Sequence, residues 1–85
     1  MFKLIISDHA FKELSKIEKS SQKLIFNKMR DLENGLFSGD KPLRGKHTGK
    51  FRKRAGNYRI VYLREGEILL ITVVRIAHRQ EVYFR

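Results

Sequence analysis

The spacing of apolar residues changes twice along this chain, and each change marks a different element. "FKLIIS" (Phe2–Ser7) is apolar, holds two isoleucines and has no breaker, which predicts a first strand. Asp8 follows as an expected helix N-cap. Phe11, Leu14 and Ile17 then recur at helical spacing opposite Lys12, Lys16 and Lys19. Ser20 and Ser21 interrupt, either able to cap a second helix whose stripe is Leu24, Ile25, Met29 and Leu32. Asn34-Gly35 is expected to close it. The connection is so short that the two helices should form an antiparallel hairpin.

A basic loop, "FSGDKPLRGKHTGK", precedes three strands. "KFRKRA" and "YRIVYLRE" flank Gly56-Asn57, a two-residue hairpin turn. Glu65-Gly66 turns the chain into "EILLITVVRIA", whose unbroken apolar run predicts a strand buried on both faces. "HRQEVYFR" ends the sequence, extended or as a short tail. The predicted order is β-α-α-β-β-β in a single α+β domain over residues 1–85, its mostly antiparallel sheet covered on one face by the N-terminal helical hairpin.

Charge sharpens this picture. The net charge is +10, and its distribution is lopsided. Residues 1–40 hold 7 Lys/Arg against 6 Asp/Glu, whereas residues 41–85 hold 12 against 3. Between Lys41 and Arg64 lie nine cations and no acid. Such a density opposes folding by self-repulsion, and a polyanion would relieve it. Phosphate backbones are the first candidates and acidic proteins the second. No cysteine is available for a disulfide or a thiolate site. No apolar run reaches the roughly 20 residues of a membrane helix, and the N-terminus lacks the features of a signal peptide. The expected compartment is the cytoplasm.

Strand alternation suggests where the cations point. Arg52 and Arg54 share one side of their strand, and Arg59 opposes Tyr58, Ile60 and Tyr62. In the last strand the odd positions run Leu69, Ile71, Val73, Arg75 and Ala77, with Arg79 and Tyr83 at the same parity if the chain stays extended. One face could therefore gather Arg52, Arg54, Arg59, Arg75, Arg79 and Tyr83, with the helices on the other. Arg75 has a second reading: it interrupts an apolar strand, and an ion pair with Glu67 or Glu81 would serve it there. Tyr58 and Tyr62 read as core residues. Lys41, Lys46 and Lys50 read equally as a solvated loop.

"PLRGKHTGKFRKRAGNYRIVY" followed by "ILLITVVRIAHRQEVY" resembles the RelE/ParE superfamily of toxins from type II toxin–antitoxin modules, and most nearly its RelE branch. The similar segments are "LRG" (Leu43–Gly45), "GNYRIVY" (Gly56–Tyr62) and "HRQEVY" (His78–Tyr83), in that order after a β-α-α start. The resemblance implies a ribosome-dependent endoribonuclease that inhibits translation by cleaving mRNA in the A site. In that chemistry the ribose 2′-OH attacks the adjacent phosphate, without metal or cofactor. It also implies an acidic, RelB-like antitoxin, a toxin–antitoxin hetero-oligomer, and no association with membranes.

Carried over by motif, the catalytic candidates are Arg52, Arg54, Arg59, Arg79 and Tyr83. Arg44, Lys46, Lys50, Lys53 and Arg75 are the candidates for holding the RNA strand. Cations around the phosphorane and a donor to the leaving oxygen are what in-line phosphoryl transfer gains from. Arginine grips phosphate in a bidentate fashion, and aromatic rings hold splayed bases. Members with lysine at the position of Arg52 have a group able to deprotonate the 2′-OH, which a guanidinium does not do readily. His78 is the candidate base in its place and His47 a weaker one; alternatively, charge stabilisation together with ribosomal groups carries the rate. A ParE-like inhibitor of DNA gyrase and a non-catalytic RNA- or antitoxin-binding module are the competing readings.

Overall fold

The computed structural model describes residues 1–78, so Arg79 and Tyr83 lie outside the described residues. The elements are β1 (Lys3–Ile6), α1 (Asp8–Ser15), α2 (Lys19–Glu33), β2 (Lys41–Pro42), β3 (Lys50–Ala55), β4 (Tyr58–Glu65) and β5 (Leu70–His78). Short 3₁₀ turns cover Gly45–His47 and Gly66–Ile68. The predicted β-α-α-β-β-β order holds, with the two-residue β2 added. The strands form one sheet in the order β1-β5-β4-β3-β2. β1 runs parallel to β5, and every other neighbouring pair is antiparallel.

The helices begin and end for local reasons. Ser7, rather than Asp8, is the N-cap of α1: its hydroxyl accepts from the Ala10 N–H at 3.1 Å, and Asp8 lies in the first turn. A carboxylate there suits the positive helix end. The α1 stripe is also rotated from the predicted one. Ala10 and Leu14 face the sheet, while Phe11 is 61% exposed. Tethering of Ser7 to Val73 and Val74 of β5 fixes the helix phase, and small Ala10 lets α1 sit close to the strand. Neither Ser20 nor Ser21 caps α2. Both lie inside it, Glu18 takes the N-cap position, and the Ser21 hydroxyl donates to the Glu18 carboxylate. The Gln22 side-chain amide donates to the Leu14 carbonyl at 2.9 Å, meeting an acceptor that the end of α1 leaves open.

At the far end of α2 the Asn34-Gly35 stop forms as predicted. Gly35 has φ +75, its N–H donates to the Leu32 carbonyl, and the Leu36 N–H donates to that of Asp31. This doubly bonded left-handed cap closes the helix. Ile25, Met29 and Leu32 are buried along the inner face of α2, whereas Leu24 turns outward. They meet Ile60, Tyr62, Ile71, Val73 and Ile76 in a single core between helices and sheet.

β5 is an interior strand whose helix-facing side is fully buried; on the other side Leu70, Thr72 and Val74 are half-buried and Ala77 is buried. The run predicted to be buried on both faces is, among the described residues, fully buried toward the helices as far as Val73, and only Ala77 is buried on the other face. A register shift interrupts the β4–β5 ladder: Val61 pairs with Arg75 and Tyr62 with Val73, leaving Val74 as an extra residue. Such a bulge reverses side-chain parity beyond it. Ile71, Val73 and Ile76 therefore all reach the core, and Ala77 crosses to the opposite face beside Val61. The uniform odd-numbered face expected for this strand does not exist.

Candidate functional site

The hairpin turn at Gly56-Asn57 sets the geometry of the uncovered face. Gly56 takes φ +62 at the first turn position, which closes β3 onto β4 with Ala55 opposite Tyr58. One step further, Arg54 stands directly opposite Arg59, and Arg52 opposite Val61. Like charges directly across a ladder repel. Arg59 is nevertheless only 4% exposed. Its sole hydrogen bond among the described residues runs from Nη1 to the Tyr58 carbonyl at a long 3.4 Å. Arg59 pairs in register with Ala77, and Val61, Ala77, Leu43 and Val74 form a small apolar floor beside it. Among the described residues no carboxylate pairs with this buried guanidinium.

Arg52 and Arg54 also line a cleft of about 390 Å³ that turns around the outer edge of β3. Arg59, Lys53, Lys28 of α2 and the loop residues Ser38 to Lys41 complete its lining. Six cations and one carboxylate therefore face one cavity. That carboxylate, Asp40, is the sole acid between Glu33 and Glu65 in the chain. It accepts from Lys53 Nζ at 3.0 Å and from the Tyr62 hydroxyl at 2.5 Å. Burial, and then the bond to Asp40, push the Tyr62 hydroxyl far above its ordinary pKa. Tyr62 thus belongs to the core, as read from the sequence, and is tied at its polar end.

The structure distributes the remaining candidates. Lys53 lies on the helix-facing side of β3, 7% exposed, with its charge engaged by Asp40 rather than turned toward the open face. Arg75 is held by Glu13 of α1, from Nη2 at 3.0 Å and Nε at 3.3 Å. This acid is not Glu67, and Glu81 lies outside the described residues. The other Glu13 oxygen accepts from the Ile76 N–H at 2.8 Å, where β1 has already ended. Lys50 is half-exposed at the start of β3, and Arg44 and Lys46 are exposed at the 3₁₀ turn that also carries half-buried His47. His78 pairs in register with Tyr58 and meets its ring edge-on at 5.7 Å. Tyr58 packs against the core, so His78 sits on the face opposite Arg59.

Sequence reading did not find the contributions of Lys28 and Lys41 to the cleft, nor that of Asp40. Only the isolation of Asp40 in a cationic stretch signalled it. Arg64 is likewise accounted for internally: its guanidinium lies over Phe37 at 4.4 Å and Phe51 at 4.5 Å, within a ring cluster completed by Tyr62 and Phe2.

Comparison with known proteins identifies the fold and the family. The family model for the ParE toxin of type II toxin–antitoxin systems matches residues 4–83. Toxin RelG of Mycobacterium tuberculosis is 38% identical over 55 residues, 65% of this chain and 63% of that protein. The chain therefore spans somewhat under two thirds of that relative. The toxin–antitoxin complex RelBE2 from Mycobacterium tuberculosis superposes with a TM-score of 0.83 at 25% identity, covering 92% of this chain and 98% of the other. YafQ from Escherichia coli shares the fold, with a TM-score of 0.79 at 14% identity over 98% of this chain and 99% of its own.

Proposed function

Because the chain belongs to the ParE toxin family of type II toxin–antitoxin systems, we propose that it acts in the cytoplasm as a ribosome-dependent mRNA endoribonuclease of the RelE kind. One observation carries the proposal: Arg54 and Arg59 are set directly opposite each other beside Arg52, on a face that the helices leave uncovered. A phosphodiester seated there turns mutual repulsion into shared attraction. The 2′-oxygen attacks phosphorus, the bond to O5′ breaks, and the products are a 2′,3′-cyclic phosphate and a 5′-OH. Charge accumulates on the non-bridging oxygens as the phosphorane forms, and fixed guanidinium groups stabilise it more than they stabilise the ground state. The proton on the 2′-OH needs an acceptor and the leaving O5′ needs a donor. His78 faces away from Arg59, so in this reading the acceptor is His47 or a ribosomal group, and Arg79 and Tyr83 remain the catalytic candidates that the family motif implies. Arg44, Lys46 and Lys50 are the strand-holding cations in this reading.

An acidic, RelB-like antitoxin completes the proposal, and solved relatives in complex with their antitoxins support it. Such a partner would neutralise the basic half of the chain while the toxin is held inactive.

The test is primer extension on translated mRNA after induction. Cuts between codon positions are expected, and Arg59→Ala and Arg79→Ala should each abolish growth arrest while remaining folded. A folded, fully toxic Arg59→Ala protein would contradict the site. The match to the ParE model favours a second reading, inhibition of DNA gyrase without cleavage. Intact mRNA with accumulating DNA breaks would select it. Normal growth with neither would point to a binding module.

A further inference from the structure

The cleft at the β3 edge reaches further than the arginine face needs. β2 pairs with β3 only through Lys41–Arg52 and Pro42–Phe51, so β3 beyond Arg52 has no strand on its outer side among the described residues. The cavity turns around this uncovered stretch, from Arg52 and Arg54 on one side to Lys28 of α2 on the other. Neither the Lys28 nor the Lys41 ammonium has an ion-pair or hydrogen-bonding partner among the described residues. The nearby Lys53 is neutralised by Asp40, which shows that this wall does pair its cations where an acid is supplied. For Lys28 and Lys41 the described residues supply none.

We propose that Lys28 and Lys41 form a second phosphate subsite, which holds the RNA strand one or more nucleotides away from the scissile bond as it leaves the arginine face around the β3 edge. This rests on the RNA-cleaving reading above and extends it to residues on the helical side. Arg52 and Arg54 line both regions, so the cationic track is continuous. A phosphate chain fits better than an acidic peptide because its charges repeat along a flexible backbone and need no fixed side-chain register. Each ammonium serves as a point-charge anchor, while the arginines grip the reacting phosphate.

The test uses the full chain and a single-stranded RNA with every ribose 2′-O-methylated, which 2′-oxygen attack cannot cleave. Affinity is followed by fluorescence anisotropy across a salt series. Removing one cation that neutralises a phosphate of a single strand lowers the slope of log K against log salt by about 0.7. Lys28→Ala and Lys41→Ala should each show that change and the double variant twice as much. Lys12→Ala, on the outer face of α1, should leave the slope unaltered. Circular dichroism confirms the fold of each variant. An unchanged slope in the double variant overturns the subsite, as does loss of affinity for polyglutamate without loss for RNA. Failure of the two proposals is distinguishable. Cuts in mRNA with an unchanged slope sink only the subsite; a reduced slope without cuts sinks only the nuclease reading.

Discussion

Replacing Arg59 by methionine should make the free protein more stable and less able to hold an anion. The side chain is 4% exposed, faces Arg54 directly, and donates a single long hydrogen bond among the described residues. Methionine keeps an unbranched apolar stem of similar reach and removes the charge. Opposed like charges on a ladder cost about 0.2–1 kcal/mol. Two unit charges some 6 Å apart at an effective dielectric of about 40–80 repel by roughly 0.7–1.4 kcal/mol. Relief of desolvation adds to this, so Arg59→Met should gain about 1–2 kcal/mol at low salt. Urea denaturation in 10 mM and 1 M sodium chloride measures it. The Debye length falls from about 30 Å to about 3 Å between the two, so much of the gain should disappear in high salt. Uncleavable RNA should stabilise the wild type by mass action and the variant far less. A loss of more than about 1 kcal/mol in low salt would refute the reasoning, because Arg59 would then be a structural strut.

Other perturbations follow from the internal ties. Glu13→Ala strands the Ile76 N–H and the Arg75 guanidinium, so it should cost about 2–3 kcal/mol, whereas Glu13→Gln keeps the acceptor for Ile76 and should cost about 1. Amide exchange at Ile76 separates the two variants. Tyr62→Phe should lose about 1–2 kcal/mol near neutral pH by removing the hydroxyl from Asp40. The Tyr62 pKa is raised on folding, so the stability it contributes is present below the ordinary tyrosine value and is lost as pH rises above it. Wild-type urea stability should therefore fall by up to about 1.4 kcal/mol per pH unit above roughly pH 10, with a flatter profile in Tyr62→Phe. Gly35→Ala forces an L side chain to φ +75 and should cost about 1–2 kcal/mol, lowering the melting temperature by several degrees.

Local pattern was enough to predict the element order, the Gly56-Asn57 hairpin and the Asn34-Gly35 stop, because turn and cap chemistry act over a few residues. The hairpin also sufficed to put Arg52, Arg54 and Arg59 on one face, since register counts outward from a two-residue turn. Tertiary structure decided the rest. The bulge at Val74 carries no signature in an unbroken apolar run, yet it sends Ala77 to the open face, and the partner of Arg75 is Glu13, 62 residues away. The phase of α1 depends on its tether to β5, so Phe11 and Ala10 exchanged the places that spacing suggested. Lys53 shares a cationic stretch with Arg52 and Arg54, but pleating turns it toward Asp40 and leaves its neighbours to the open face. Charge was legible as a quantity in the sequence; which charges are neutralised depends on what folding brings within hydrogen-bond reach.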